Sequence, residues 1–301
     1  MDPSNTGWPR EVETSEGKIT LEGPPQRILT YSLGHDEMVL ALAPPERIAA
    51  LGKFTGNPSY SNVAELAPQF PVYEKGAENV LAQSPDIFIV SKSTKADIVE
   101  LVKEAGVPVA RPDLEDATEG NISQILLLGY MLGAEERALE LTAEIRQRLE
   151  AVASRVPPAG DPSRPAVISI TRWSDSISIS GGGTTGSDII EAAGGVNAAA
   201  RDGIDGFQKI SVESILAMNP DFILIPQDGE GAVNLRDDLM NDPVLATVPS
   251  VVNGQIHIVH PPNYIVLSHW TVRGVERTAE ILFPDRFADV TFTDFEPYTG
   301  E

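Results

Sequence analysis

Two stretches decide the fold: ENVLAQSPDIFIV at residues 78–90 and ESILAMNPDFILI at residues 213–225. Glu, Leu, Ala, Pro and Asp recur in register, and the remaining apolar positions match in kind. Each copy reads as a short helix, a Pro-Asp turn and an all-apolar strand. Proline stops the helix and aspartate suits the turn. A strand apolar on both faces belongs in the middle of a parallel sheet covered by helices.

Working outward, more of the unit repeats. PQRILTYS (25–32) is a proline-led strand, followed by Gly34, a helix over His35–Ala43 and a second strand near Ile48–Leu51. In the second half RPAVISIT (164–171) is the strand, then come a glycine-rich loop, a helix over Ser187–Ala193 and Gly194-Gly195-Val196. This alternation predicts a parallel α/β lobe in each half. Between the halves lies AEERALELTAEIRQRLEAVASR (134–155), where Ala138, Leu141, Ile145, Leu149 and Val152 share one helical face. A helix of that length spans about 33 Å, and the proline-rich PPAGDPSRP (157–165) follows it. The expected organisation is an N-terminal lobe over 18–133, a connecting helix over 134–156 and a C-terminal lobe over 157–301. The alternative for the connecting segment is an ordinary surface helix.

The 301 residues suit two domains, and 42% hydrophobic residues let both bury a core. No apolar run approaches the roughly 18 residues of a membrane span. Met1–Asn5 has no basic stretch leading into an apolar one, so the reading expects no signal peptide. Zero cysteines exclude disulfides, thiolate metal sites and cysteine nucleophiles; a lipoprotein whose anchoring cysteine was trimmed off also reads as zero. The net charge of −22 argues against nucleic acid and against an anionic membrane surface. It serves solubility, or lets acidic residues dock on a basic partner.

In RILTYSLGHDEMVLAL, the two Glu-x-x-Leu-Ala-x-x-Pro-Asp copies, the joining helix and the closing LSHWTVRGVERTAEILFP, the chain resembles the periplasmic or lipid-anchored binding proteins for ferric siderophores, haem and cobalamin. The likeness runs from about Gln26 to Phe287. It implies two Rossmann-like α/β lobes with parallel-rich sheets, bridged by one long helix, with the ligand in the cleft between them and little motion on binding. It also implies a monomeric solute-binding protein of an ABC importer, periplasmic or held at the cell surface as a lipoprotein. Such a protein does no chemistry and carries no covalent cofactor. Its transported ligand is expected to be a ferric siderophore, with haem and cobalamin as alternatives, and its partner an ABC permease dimer. Family members dock one glutamate per lobe on permease arginines, and these match Glu78 and Glu213. The alternative for both is a helix N-terminal glutamate favoured by the dipole.

In open parallel sheets ligands sit beyond the carboxyl ends of the strands. In the first half those loops are Ser32–His35, Lys53–Tyr60 and Ser91–Ser93. In the second half they are Arg172-Trp173, Gly181–Thr185, Phe207, Pro226–Asp228 and Asn263–Trp270. Arg172 can grip carboxylate or catecholate oxygens and Trp173 can cover a flat ligand face; the alternative is a surface arginine beside a packed indole. Tyr264 and Trp270 suit a chelate or simply pack their loop. His35 is either a polar residue near a helix N-terminus, where imidazolium is disfavoured, or a neutral imidazole that donates to a ligand or completes a metal shell. Haem binders of this family often place an axial tyrosine in the loop that holds Tyr60, which is otherwise an ordinary loop tyrosine. Lys53, Lys92 and Lys95 can offset an anionic chelate.

SGGGTTGSD (180–188) resembles a phosphate-cradling loop but lacks the Gly-Lys-Ser/Thr ending. It reads as a close-approach loop whose helix N-terminus faces the cleft. An enzyme is disfavoured: there is no Gly-x-Ser-x-Gly elbow and no His-Glu-x-x-His, and His35, His257, His260 and His269 are too few for a free-metal carrier. No metal site is therefore expected. An extracellular sensor or adhesion module on the same fold stays open.

Overall fold

The computed structural model describes residues 5–112 and 118–298. After the antiparallel hairpin of β1 (Arg10–Thr14) and β2 (Gly17–Leu21), the first sheet contains β3 (Ile28–Thr30), β4 (Ile48–Gly52), β5 (Val72–Tyr73), β6 (Ile87–Ile89) and β7 (Val109–Ala110). Its order is β5-β4-β3-β6-β7, all parallel. Ile28, Ile87 and Ile89 point into one core with Met38 and Ile125, whereas Leu29 and Phe88 point into another with Val99 and Val102. Both faces are thus covered, as the unbroken apolar strands require.

The second sheet holds β8 (Ala166–Trp173), β9 (Ser176–Ser180), β10 (Val196–Asn197), β11 (Phe207–Ile210), β12 (Phe222–Ile225) and β13 (Ile256–Ile258). Its main path is β11-β9-β8-β12-β13, with β10 also beside β8. Here the expectation of a parallel lobe needs correction. β8 pairs in parallel with β10 and β12, but β9 runs antiparallel to both β8 and β11. The cause is a tight hairpin after Trp173, with Ser174 at φ 52 and Trp173 opposite Ser176. Left-handed backbone in so short a loop matches the twist of the strands it joins.

The two quoted copies occupy equivalent places: β6 lies beside β3, and β12 beside β8. Each copy turns through a left-handed residue just before its proline, Ser84 at φ 50 and Asn219 at φ 48. The aspartate that follows does more than sit in the turn. Asp86 accepts the backbone N–H groups of Gln26 and Arg27 at 2.6 and 3.0 Å, and Asp221 accepts that of Ala166 at 2.8 Å. Each carboxylate therefore pins the start of the neighbouring strand.

The joining helix is Glu135–Ala153. It is preceded by the helix Thr118–Leu132, with Gly133 in the left-handed turn between them at φ 66. These helices meet closely: a Cβ on Gly129 would lie 2.4 Å from that of Ala138. Ala138, Leu141 and Ile145 enter the first lobe's core, Val152 enters the second lobe's, and Leu149 packs against both. One helical stripe thus belongs to two cores. The C-terminal tail runs back along it, with Asp289 at Arg155, Thr293 at Arg148 and Glu296 at Arg137. Phe295 is buried against Trp270 in the first core, and Arg148 donates to the Thr293 carbonyl at 2.7 Å. Among the described residues no helix is long and apolar enough to cross a membrane.

Candidate ligand cleft

The hairpin that the sequence reading missed builds one wall of the cleft. Ser169, Thr171 and Trp173 of β8 share a face with Ser176, Ser178 and Ser180 of β9, because Thr171 stands opposite Ser178 and Trp173 opposite Ser176. β11 adds Phe207, opposite Ser180. The reverse face carries Ile168, Ile170, Ile177 and Ile179, all in the second lobe's core. Period-two alternation therefore puts isoleucine inward and hydroxyls outward. The outward face meets the other lobe across a cavity of about 500 Å³, lined also by Ser59, Tyr60, Gln227, Tyr264 and Leu267.

A neighbouring cavity of about 470 Å³ shares Tyr60, Ile265 and Leu267 with the first and is lined by Ser32, Gly34, Ser91 and Lys92. Ser32 lies just past β3, Ser91 past β6 and Pro226 past β12, so both cavities open beyond the carboxyl ends of parallel strands. Their common rim is apolar and accessible. Phe207 is 70% exposed, Trp173 62%, Ile265 46% and Tyr60 36%. Tyr60 meets Phe54 edge-on at 5.7 Å. Aromatic side chains left in water around a concave site are what a large, partly flat ligand would cover.

The wall is held by its backbone. The Gln227 side chain accepts the Arg172 N–H at 3.0 Å and donates to the Arg172 carbonyl at 2.9 Å, fixing the end of β8 to the loop after β12. The helix Thr185–Ala192 starts at this wall, and its Thr184 cap hydroxyl accepts the Ser187 N–H at 3.2 Å. Gly186 lines the cavity, and a Cβ there would stand 3.0 Å from Ser180 Cβ. The glycine-rich loop thus allows a close approach of helix to sheet.

The candidate residues divide. Tyr60, Trp173, Tyr264 and Lys92 line the two cavities. The Tyr264 hydroxyl, however, turns away to Thr278 at 2.9 Å, so only its ring is offered; burial raises its phenol pKa. Arg172 does not reach in: its guanidinium pairs with Asp238 and lines a separate surface hollow with Glu213. Lys53 pairs with Glu74 at 3.3 Å and lines neither cavity. Trp270 is buried against His269 and Phe295 and lines a different cavity. His35 is fully enclosed, its Nδ1 2.9 Å from the Ser32 hydroxyl, and burial pushes it down to about 3. These four side chains lie outside the two cavities because side-chain direction depends on neighbours distant in sequence. Ser169, Thr171, Ser178 and Ser180 were missed altogether, although the alternation in VISIT and SISIS carried the signal. Glu78 and Glu213 are both exposed, and the Ser211 hydroxyl holds the Glu213 carboxyl below its usual range.

Behind the cleft, the first helix, Leu33–Leu42, buries Asp36 and Glu37. Asp36 accepts from the Thr30 and Thr55 hydroxyls, and burial still raises it to about 6. Burial raises Glu37 to about 7; it accepts from the Asn62 backbone N–H at 2.8 Å and from the Ser268 hydroxyl.

The family profile described as "Periplasmic binding protein" matches residues 28–262. The chain belongs to the periplasmic binding protein family. This binding protein is 22% identical over 282 residues to the uncharacterized ABC transporter substrate-binding lipoprotein YvrC of Bacillus subtilis, covering 92% of this chain and 86% of that protein. It is 26% identical over 271 residues to the ferric enterobactin-binding periplasmic protein FepB of Escherichia coli, covering 83% of each. Its fold matches the periplasmic haem-binding protein RhuT of Roseiflexus in apo form with a TM-score of 0.74, at 22% identity, over 88% of this chain and 100% of that one. The two lobes and the helix between them are therefore the family's architecture. The binding protein is of the type that serves ABC transporters.

Proposed function

We propose that this protein captures an intact iron chelate, a ferric siderophore, and delivers it to the permease of an ABC importer. The observation that carries this reading is the cleft between the lobes. Its two adjoining cavities fall in the size range of small-molecule sites. Aromatic side chains from both lobes rim them, and hydroxyls line one wall. The relatives FepB and YvrC, named as binding proteins, support the transport role. Among the described residues no group of three or more histidines and carboxylates is placed to hold a metal ion. Division into lobes at 18–133 and 157–301 about the joining helix is part of the proposal, as is a monomer outside the cytoplasm. Glu78 and Glu213 are the proposed permease contacts.

Tyr60 gives haem a second reading, because its phenol lies where both cavities meet. The test is titration of tryptophan fluorescence with a ferric siderophore, haem and cobalamin. Saturable quenching by the siderophore supports the proposal, whereas saturation by bare Fe³⁺ overturns it. A Soret shift abolished by Tyr60→Ala would give the site to haem.

A further inference from the structure

Charge in the cleft is set by very few residues. Every one of the 22 lysines and arginines lies among the described residues. Lys92 alone of them lines the two cavities, and Asp228 lines them too. Four other cations are engaged or placed outside these cavities. Arg172 pairs with Asp238, Lys53 pairs with Glu74, and Lys75 lies 5.2 Å over the Tyr31 ring. Lys209 lines the outer hollow beside Glu213. The protein as a whole carries −22.

Among the described residues the rest of the cleft lining, apart from Lys92 and Asp228, is neutral. Thr171, Ser178, Ser180 and Ser169 present hydroxyls from the sheet, and Trp173 and Phe207 present rings. Hydroxyls donate to carbonyl and oxime oxygens without needing a counter-charge. A ligand with several negative charges loses its hydration on entry and meets one lining ammonium in return; burying charge without matched partners is unfavourable. The protein's field also opposes the approach of anions.

We infer that the cleft selects chelates of low net charge, held by neutral hydrogen bonds to the β8–β9 hydroxyl face and by stacking on Trp173 and Phe207. This rests on the chelate-binding reading above and narrows it to a class: uncharged, carbonyl-rich complexes such as ferric trihydroxamates, as against polyanionic catecholates. The hairpin is the specificity element, because among the described residues it alone supplies a polar sheet face inside the cleft.

The experiment compares two ferric chelates of like size on the intact protein by calorimetry and tryptophan quenching: a ferric trihydroxamate of zero charge and a ferric tricatecholate carrying three negative charges. The hydroxamate is expected to bind at least 100-fold tighter at low salt, with the gap narrowing as salt rises. Thr171→Lys, placing an ammonium on the wall, is expected to raise catecholate affinity at least tenfold and lower that of the hydroxamate; Ser178→Lys serves if the first variant does not fold. Equal or tighter catecholate binding by the wild type overturns the charge selection and leaves chelate binding standing. Binding of neither chelate overturns both.

Discussion

The Ser268 hydroxyl donates to the buried carboxylate of Glu37, tying the segment that follows β13 in the second lobe to the first helix of the first lobe. Asn121 donates to the Ser268 carbonyl at 3.3 Å, so the same residue is held from two elements. Glu37 is fully buried, so its charge is carried at a cost in the folded state; burial lifts it to about 7, and the negative charge of Asp36 acts in the same direction. A raised folded pKa means that the folded protein binds the proton more tightly than the unfolded chain. Stability from this group is complete below its ordinary 4.5 and is lost as pH rises through about 7. The buried His35 and His269, both pushed down to about 3, act in the opposite sense and lose stability as pH falls below 6.5. Glu37→Gln removes only the first effect. The variant is therefore expected to gain about 2 kcal/mol relative to wild type between pH 5 and pH 8. Parallel urea melts at the two pH values check this, and a pH-independent difference would show that Glu37 is not protonated in this window.

Trp173 and Arg172 are neighbours in sequence but should behave differently. Trp173→Ala is expected to weaken chelate binding at least tenfold and to remove most of the ligand-induced fluorescence change, since the ring is exposed at the cleft rim. Arg172→Ala should change affinity by less than threefold, because its guanidinium is engaged by Asp238 outside the cavities. Calorimetry on both variants decides; a large loss in Arg172→Ala would mean that the ion pair opens when ligand binds.

Asp86 and Asp221 make the same kind of contact in the two lobes, each accepting backbone N–H groups at the start of the adjacent strand. Replacing either by Ala leaves those donors without a charged acceptor, a loss of about 1.5–3 kcal/mol. Asp86→Ala should cost more, as it receives two N–H groups to the one of Asp221. Chemical denaturation of the single variants measures this. The double variant should show the sum, since the sites lie in separate lobes.

Glu78 and Glu213 occupy the same register position, each the second residue of its helix, Ala77–Ala82 and Val212–Met218. Charge reversal of both, Glu78→Arg with Glu213→Arg, is expected to abolish ligand uptake in cells while leaving affinity in solution unchanged. Uptake by the wild type should also weaken with ionic strength, as docking between exposed charges does. Normal uptake by the double variant would dismiss the docking role.

Local pattern was enough for much of this protein. The repeated Pro-Asp turns and unbroken apolar strands determined two α/β lobes, because a strand apolar on both faces has no stable place outside a covered sheet. The stripe of Ala138, Leu141, Ile145, Leu149 and Val152 determined the joining helix, because its spacing matches the helical period. The loops beyond the strand ends were legible for the same reason. Which side chains face the ligand was not. His35 lies in the first helix and Arg172 near the end of β8, yet the first is enclosed by the first lobe's core and the second is drawn off by Asp238, 66 residues away. The hydroxyl wall is the converse case: its alternation is written in VISIT and SISIS, but a polar strand face ordinarily meets water. Only the packing of the second lobe against Tyr60 and Ser59 of the first turns it into the lining of a cavity. Period and propensity act over a few residues; the direction of a side chain and the dielectric around it are set by whatever the chain brings back from far away.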